Sequence, residues 1–203
     1  MPDFSIEDSY NGIIAGVDEA GRGPWAGPVV AAAVIINKNS VPKGINDSKK
    51  LTALKREKLY EEIISSCHFG VGIASVEEID SLNILNASML AMQRAFANLP
   101  VAADIVLVDG NKAPDLKVKA IPIIKGDSIS ISIAAASIIA KVTRDRMMLS
   151  LAAQFPYYAW ERNSGYGTKA HQDGIKFNGI TMHHRKSFKP IQAVIGGDTN
   201  SIL

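Results

Sequence analysis

Residues 13–36 read IIAGVDEAGRGPWAGPVVAAAVII. Ile13–Val17 is a short apolar run stopped by charge and glycine, and Val29–Ile36 is a second run, rich in β-branched residues, behind Gly27-Pro28. Both read as strands, and the GRGPWAG segment between them has the glycine and proline content of a turn, which makes them neighbours.

The rest of the chain alternates in the same way. Thr52 is placed to cap a charged helix over Ala53–Ser66, with Leu59 and Ile63 on one face. Phe69–Ala74 reads as a third strand. Leu85, Met89, Met92 and Phe96 recur at helical spacing, predicting a helix that ends near Asn98, ahead of Pro100, and turns this stripe to the core. Ile105–Val108 and Val118–Ile124 resemble buried strands that exit at Asp109-Gly110 and Lys125-Gly126-Asp127. Ser132–Phe155 has the alanine, leucine and methionine content of a long helix, charged around Lys141–Arg146. This order predicts an α/β fold, a central mixed β-sheet flanked by helices with a helical and loop-rich C-terminal extension.

The chain has 203 residues, 47% of them hydrophobic, enough for one domain with a sizeable core. A single cysteine, Cys67, excludes an internal disulfide, the acidic start PDFSIEDSYN is unlike a leader, and the longest apolar run is too short to span a bilayer. These features predict a soluble, cytoplasmic protein. The net charge of +2 is small but uneven: Trp160–Pro190 carries six Lys/Arg against two acids, a hint of a polyanionic partner.

Asp18, Asp109 and Asp127 each follow an apolar strand, and in an open α/β sheet such ends collect ligands. Carboxylates that converge there repel unless a cation lies between them, and an oxygen-only set suits Mg²⁺ or Mn²⁺. Asp18 and Glu19 are adjacent, so a regular strand would point them to opposite faces; both reach one site only where the strand ends and bends, as Gly21 and Gly23 allow. The same glycines leave the backbone bare for a sugar or phosphate, with Arg22 beside a negative charge. A dinucleotide fingerprint is excluded because Pro24 and a strand follow where a helix is needed, and no P-loop occurs. Cys67 lies in surroundings that do not suit a thiol nucleophile.

GVDEAGRGPWAGPV, NDSKKL, VDGN, KGDSIS with the following AAASIIAKVTRDR, and GYGTKAH, in this order, closely resemble the type 2 ribonucleases H, specifically bacterial ribonuclease HII. The resemblance covers Ile13 to Pro190 and implies a ribonuclease H-like catalytic domain over 13–190, with an N-terminal extension at 1–12 and a tail at 191–203. It implies an endonuclease that cuts RNA in RNA–DNA hybrids and nicks 5′ of single ribonucleotides in duplex DNA, leaving 5′-phosphate and 3′-hydroxyl ends. Its four acidic residues fall on Asp18, Glu19, Asp109 and Asp127, which implies hydrolysis of two-metal type. Gly21, Arg22 and Gly23 resemble the loop that meets the ribose 2′-hydroxyl, and Tyr166 matches the family's tyrosine at the junction.

Ser48 and Lys49 are expected to bind backbone phosphate, and His183, His184 and Arg185 to form part of a basic nucleic-acid face. Asp145 reads as a helical ion pair with Lys141. Trp25 stands where the family often has a smaller aliphatic residue. The expected partner is nucleic acid, with a monomeric protein and a tail that offers itself to a replication partner. A hybrid-binding module without catalysis, or another metal nuclease of the same fold such as a junction resolvase, are the competing classes.

Overall fold

The computed structural model describes residues 1–197. Strands β1 (Ile14–Ala20), β2 (Val29–Ile35) and β3 (His68–Ala74) form an antiparallel meander, and β4 (Ile105–Asp109) and β5 (Lys119–Ile123) run parallel to β1. The sheet order is β3-β2-β1-β4-β5, mixed as expected. Helices α1 (Ala53–Ser66) and α4 (Ile131–Gln154) cover one face, and α2 (Val76–Leu82) with α3 (Ile84–Ala97) the other. Three short helices, α5 (Trp160–Asn163), α6 (Lys169–Asn178) and α7 (Lys189–Ile195), build the C-terminal region around its own cluster of Ala26, Met148, Tyr158, Trp160, Ile175 and Ile191.

Every residue of β2 is buried because both faces are covered, and its side chains split by alternation: Val29, Ala31, Ala33 and Ile35 toward α3, Ala32 and Val34 toward α4. Thr52 caps α1 by accepting a hydrogen bond from the Lys55 N–H, and Leu59 and Ile63 are buried as their spacing requires. The sequence reading passed over α2, although Ser75 and Glu78 form a full capping box at its start.

Three expectations are corrected. The buried line of α3 is Ala87, Ser88, Ala91, Met92 and Ala95; Met89 and Phe96 flank it and Leu85 is only half buried. The cause lies in β3, where a β-carbon on Gly70 or Gly72 would collide with the carbonyl oxygens of Ala95 and Ala91, so the helix sits too close for a large side chain between. Strand β5 is an edge strand, half exposed along its length, and carries Pro122 where a missing N–H is tolerated. Finally, β1 does not end before Asp18: the ladder continues through Asp18↔Ala32 and Glu19↔Ala31 to Ala20.

Residues 1–12 pack on this core. Glu7 is buried, and its Oε1 accepts hydrogen bonds from Ser130 Oγ at 2.7 Å and from the Ser132 N–H and Oγ at 3.0 and 2.6 Å, which ties the N-terminal segment to the start of α4. Residues 198–203, the end of the 191–203 tail expected to dock a partner, lie outside the described residues. Among those described, no helix is long and apolar enough to cross a membrane.

Gly16 on β1 is where the sheet meets α4 backbone to backbone, because a β-carbon there would overlap the Ser132 carbonyl group and the Ile133 nitrogen. Backbone cannot move aside as a flexible side chain can, so Gly16→Ala should destabilise the fold by about 3 kcal/mol or more. Urea denaturation checks this; a midpoint equal to that of the parent protein would refute the close-packing account.

Candidate active site

Strand alternation determines which carboxylates meet. Gly16 faces α4, so Asp18, two residues on, faces the same way; β4 pairs Gly16 with Leu107 and Val17 with Val108, which places Asp109 in the next row beside Asp18. Asp127 enters from the short turn Gly126–Ser128 after β5, where its N–H donates to Asp109 Oδ1 at 3.3 Å. Carboxylate oxygens of Asp18, Asp109 and Asp127 all lie within 4.8 Å of one another.

Glu19 lies outside that triad. Its position in β1 alternates away from Asp18, and its Oε1 accepts a hydrogen bond from Arg22 Nη1 at 3.2 Å. Both sit in the ladder, so no bend ahead of them is needed for the two neighbours to line one cavity; the Glu19 N–H donates to Asp18 Oδ1 at 2.7 Å. Glu19 stays close enough for Asp109 to act on it electrostatically.

Burial raises the Asp18 carboxyl well above the ordinary aspartate range, and the charges of Glu19 and Asp109 push it further. Burial and then Asp109 raise Asp127. Lys49, whose Nζ lies 3.7 Å from Asp127 Oδ2, is depressed by partial burial but raised more by Asp18, Asp127 and Asp47, so its pKa rises. Three oxygen donors that repel one another at this spacing fit a hard divalent cation.

Beside the triad is a cavity of about 330 Å³ lined by Asp18, Glu19, Gly21, Arg22, Gly23, Ser48, Lys49 and Tyr166. Asp109 and Asp127 do not line it and reach it through Asp18, which is common to both sites. Ser48 is buried, and its backbone N–H donates to Ser137 Oγ at 3.2 Å, while the Lys49 side chain is the exposed member of the pair. The Lys141–Asp145 ion pair forms at 2.7 Å as expected, but Lys141 also lines the cavity, as do Ser137 and Arg144, three residues that sequence reasoning did not place here.

The expected basic face at His183–Arg185 is corrected. His184 and Arg185 are fully buried, and the segment seals the loop instead of facing outward. Arg185 N–H donates to Trp25 O, Gly27 N–H to His183 O, and Trp25 N–H to Gly165 O, so the loop after β1 is stitched to the C-terminal region. Trp25 lies where a β-carbon on Gly167 would be, and its indole therefore packs the two loops together.

A chain of fixed tautomers runs to Tyr166. The Thr181 N–H donates to His184 Nδ1 at 2.9 Å, so the His184 proton sits on Nε2 and points at His171 Nε2, 3.1 Å away. Trp160 Nε1 donates to the same His171 nitrogen at 3.1 Å, which leaves the His171 proton on Nδ1 for the Tyr166 carbonyl at 3.0 Å. Burial holds His184 down at about 3, so this chain is neutral near pH 7.

A mixed sheet with helices on both faces, carrying an acidic triad that suits a divalent cation beside a cavity of about 330 Å³, fits the class of metal-dependent nucleases of ribonuclease H-like fold. The structure is similar to the crystal structure of ribonuclease H2 from Pyrococcus horikoshii, with a TM-score of 0.77 and 26% identity over 91% of this chain and 98% of that one. It is also similar to the ribonuclease HII in the PCNA:RNase HII complex from Archaeoglobus fulgidus, with a TM-score of 0.70 and 29% identity over 87% and 95%. Ribonuclease HII of Wolbachia from Brugia malayi is 58% identical over 191 residues, 94% of each chain. The family model for ribonuclease HII matches residues 15–191, and the chain belongs to that family of metal-dependent ribonucleases H.

Asp18 is raised, so in metal-free protein its ionisation opposes folding: stability is fullest below the ordinary aspartate pKa and is lost as pH rises through the raised value. In EDTA at neutral pH, Asp18→Asn should therefore melt above the parent by roughly 2–4 °C, with the gap closing toward about pH 4. A divalent cation should raise the melting temperature of the parent and not that of the variant. Equal cation shifts in both would remove Asp18 from the ligand set.

Proposed function

We propose that this protein nicks duplex DNA on the 5′ side of an embedded ribonucleotide and cuts the RNA strand of RNA–DNA hybrids, leaving 5′-phosphate and 3′-hydroxyl ends. The observation that carries this is the acidic triad of Asp18, Asp109 and Asp127 beside the Gly21–Gly23 loop and Tyr166 in one cleft.

In this reading Asp18, Asp109 and Asp127 hold Mg²⁺ or Mn²⁺, with Glu19 completing the acidic set from beside Asp18. When bound, the cation supplies water activation and charge neutralisation at the leaving 3′ oxygen. The chain's own residues do the rest. Gly21 and Gly23 let the backbone approach the ribose, where a 2′-hydroxyl marks RNA. Tyr166, about half exposed at the far wall of the cleft, packs against the neighbouring sugar. Lys49 and Arg22 are the exposed cations at the rim, placed to contact backbone phosphate through Lys49 Nζ and the Arg22 guanidinium. Ser48 supports that contact by fixing the turn that carries Lys49.

A cytoplasmic setting and a monomer are part of the same reading. A replication partner is included because one structural neighbour is a ribonuclease HII in complex with PCNA.

Purified protein with Mg²⁺ or Mn²⁺ should nick a DNA duplex carrying one ribonucleotide and leave the all-DNA duplex intact. Asp109→Asn should lower the rate by at least about 100-fold while duplex binding persists. Denaturing gel analysis of end-labelled strands checks both, and no cleavage with either ion would favour a binding module instead.

A further inference from the structure

Arg144 on α4 and Arg185 ahead of α7 are both buried, and neither forms an ion pair among the described residues. Their donors go to main-chain carbonyls. Arg144 donates to Pro28 O at 2.9 Å through Nε, to Ala26 O at 3.0 Å through Nη2 and to Ser164 O at 2.8 Å through Nη1. Arg185 donates to Gly27 O at 2.9 Å through Nε, to Arg22 O at 2.9 Å through Nη1, and to Gly21 O and Pro28 O at 2.5 and 3.2 Å through Nη2.

Two buried cations without a carboxylate are costly, and apolar side chains of similar volume often fill such places without loss of stability. Burial pulls Arg144 down to about 10, and burial with the neighbouring Arg144 pulls Arg185 to about 9, so both stay charged near pH 7. What the pair does provide is orientation. No peptide among the described residues is cis, and the C=O and N–H of a trans peptide point in opposite directions. Drawing the Gly21 and Arg22 carbonyls onto Arg185 therefore turns the Arg22 and Gly23 N–H groups away from it. Neither N–H has an acceptor among the described residues, and both residues line the cleft. Gly21, with φ +97°, has Arg144 packed where its β-carbon would be, so the guanidinium lies directly under the loop.

We propose that Arg144 and Arg185 are positioning residues for substrate choice: they hold the loop carbonyls inward and so present the Arg22 and Gly23 N–H groups, over buried positive charge, to the ribose and its adjoining phosphate. This rests on the reading that the Gly21–Gly23 loop meets the ribose.

The test uses the full chain carrying Asp109→Asn, so that substrate is not consumed, with Mg²⁺. Affinity is measured for a duplex with one ribonucleotide and for the same all-DNA duplex, before and after adding Arg185→Met or Arg144→Met, alongside thermal melts. The expected result is a folded variant whose preference for the ribonucleotide duplex falls about tenfold, with all-DNA binding changed much less. A preference that persists in folded variants overturns the proposal alone. No preference in the Asp109→Asn parent overturns the ribose reading of the loop, and this inference with it. Should the Met variants not fold, Arg185→Lys and Arg144→Lys keep the charge without spanning the carbonyls, and the same ratio decides. Failure of all four to fold would make the pair a structural support and overturn the proposal.

Discussion

The contact between Gly16 and the first turn of α4 leaves no room for a side chain, so sheet and helix meet backbone to backbone at the centre of the molecule. Because α4 starts there and is 24 residues long, it lies along β1 and carries Ser137, Lys141 and Arg144 past the end of the strand. Its start is held from outside by buried Glu7, and its far half packs into the C-terminal cluster through Met148 and Ala152. Sheet, cleft and C-terminal region are thus kept in register by one helix set at glycine distance.

Charge is arranged in opposition across the cleft. On one side three carboxylates converge closely enough to push Asp18 up; beneath the loop that forms the other wall two guanidiniums are buried against carbonyls. Lys49 pairs with Asp127 and Arg22 with Glu19, which sets an exposed cation beside each of these two carboxylates. Such a site repels itself on the acidic side and attracts anions on the other, an unstable balance for folding that suits a cation and a phosphodiester bound together. The neutral histidine chain adds no charge to this field and instead holds the Tyr166 carbonyl by hydrogen bonds alone.

Much was legible from local pattern. The boundaries of α1, the strand identity of β1 to β4 and the partition into sheet and helices follow from apolar runs, caps and glycine, which act over a few residues. The gathering of Asp18, Asp109 and Asp127 was legible because Asp18 interrupts, Asp109 ends and Asp127 follows an apolar strand, and parallel strands of one sheet end side by side. Pattern misled where the deciding neighbour was far along the chain. Of the large stripe of α3 only Met92 kept the centre, with Met89 and Phe96 at its flanks, because Gly70 and Gly72 draw alanines against the sheet, and β5 looked buried by composition although nothing pairs with its outer edge among the described residues.

By itself, the sequence determined the α/β order, the acidic residues and the family, since these are carried by residue type and short spacing. Only the tertiary structure decided that Glu19 turns to Arg22 while Asp18 joins the triad, that Trp25 fastens the loop to Gly167, and that His184 and Arg185 are buried instead of facing nucleic acid. The physical reason is common to all three. Charge and polarity are properties of a residue, but the side to which it points is set by the partner that accepts its hydrogen bond or excludes its volume. For Arg185 those partners are the Gly21, Arg22, Gly27 and Pro28 carbonyls, about 160 positions earlier in the chain.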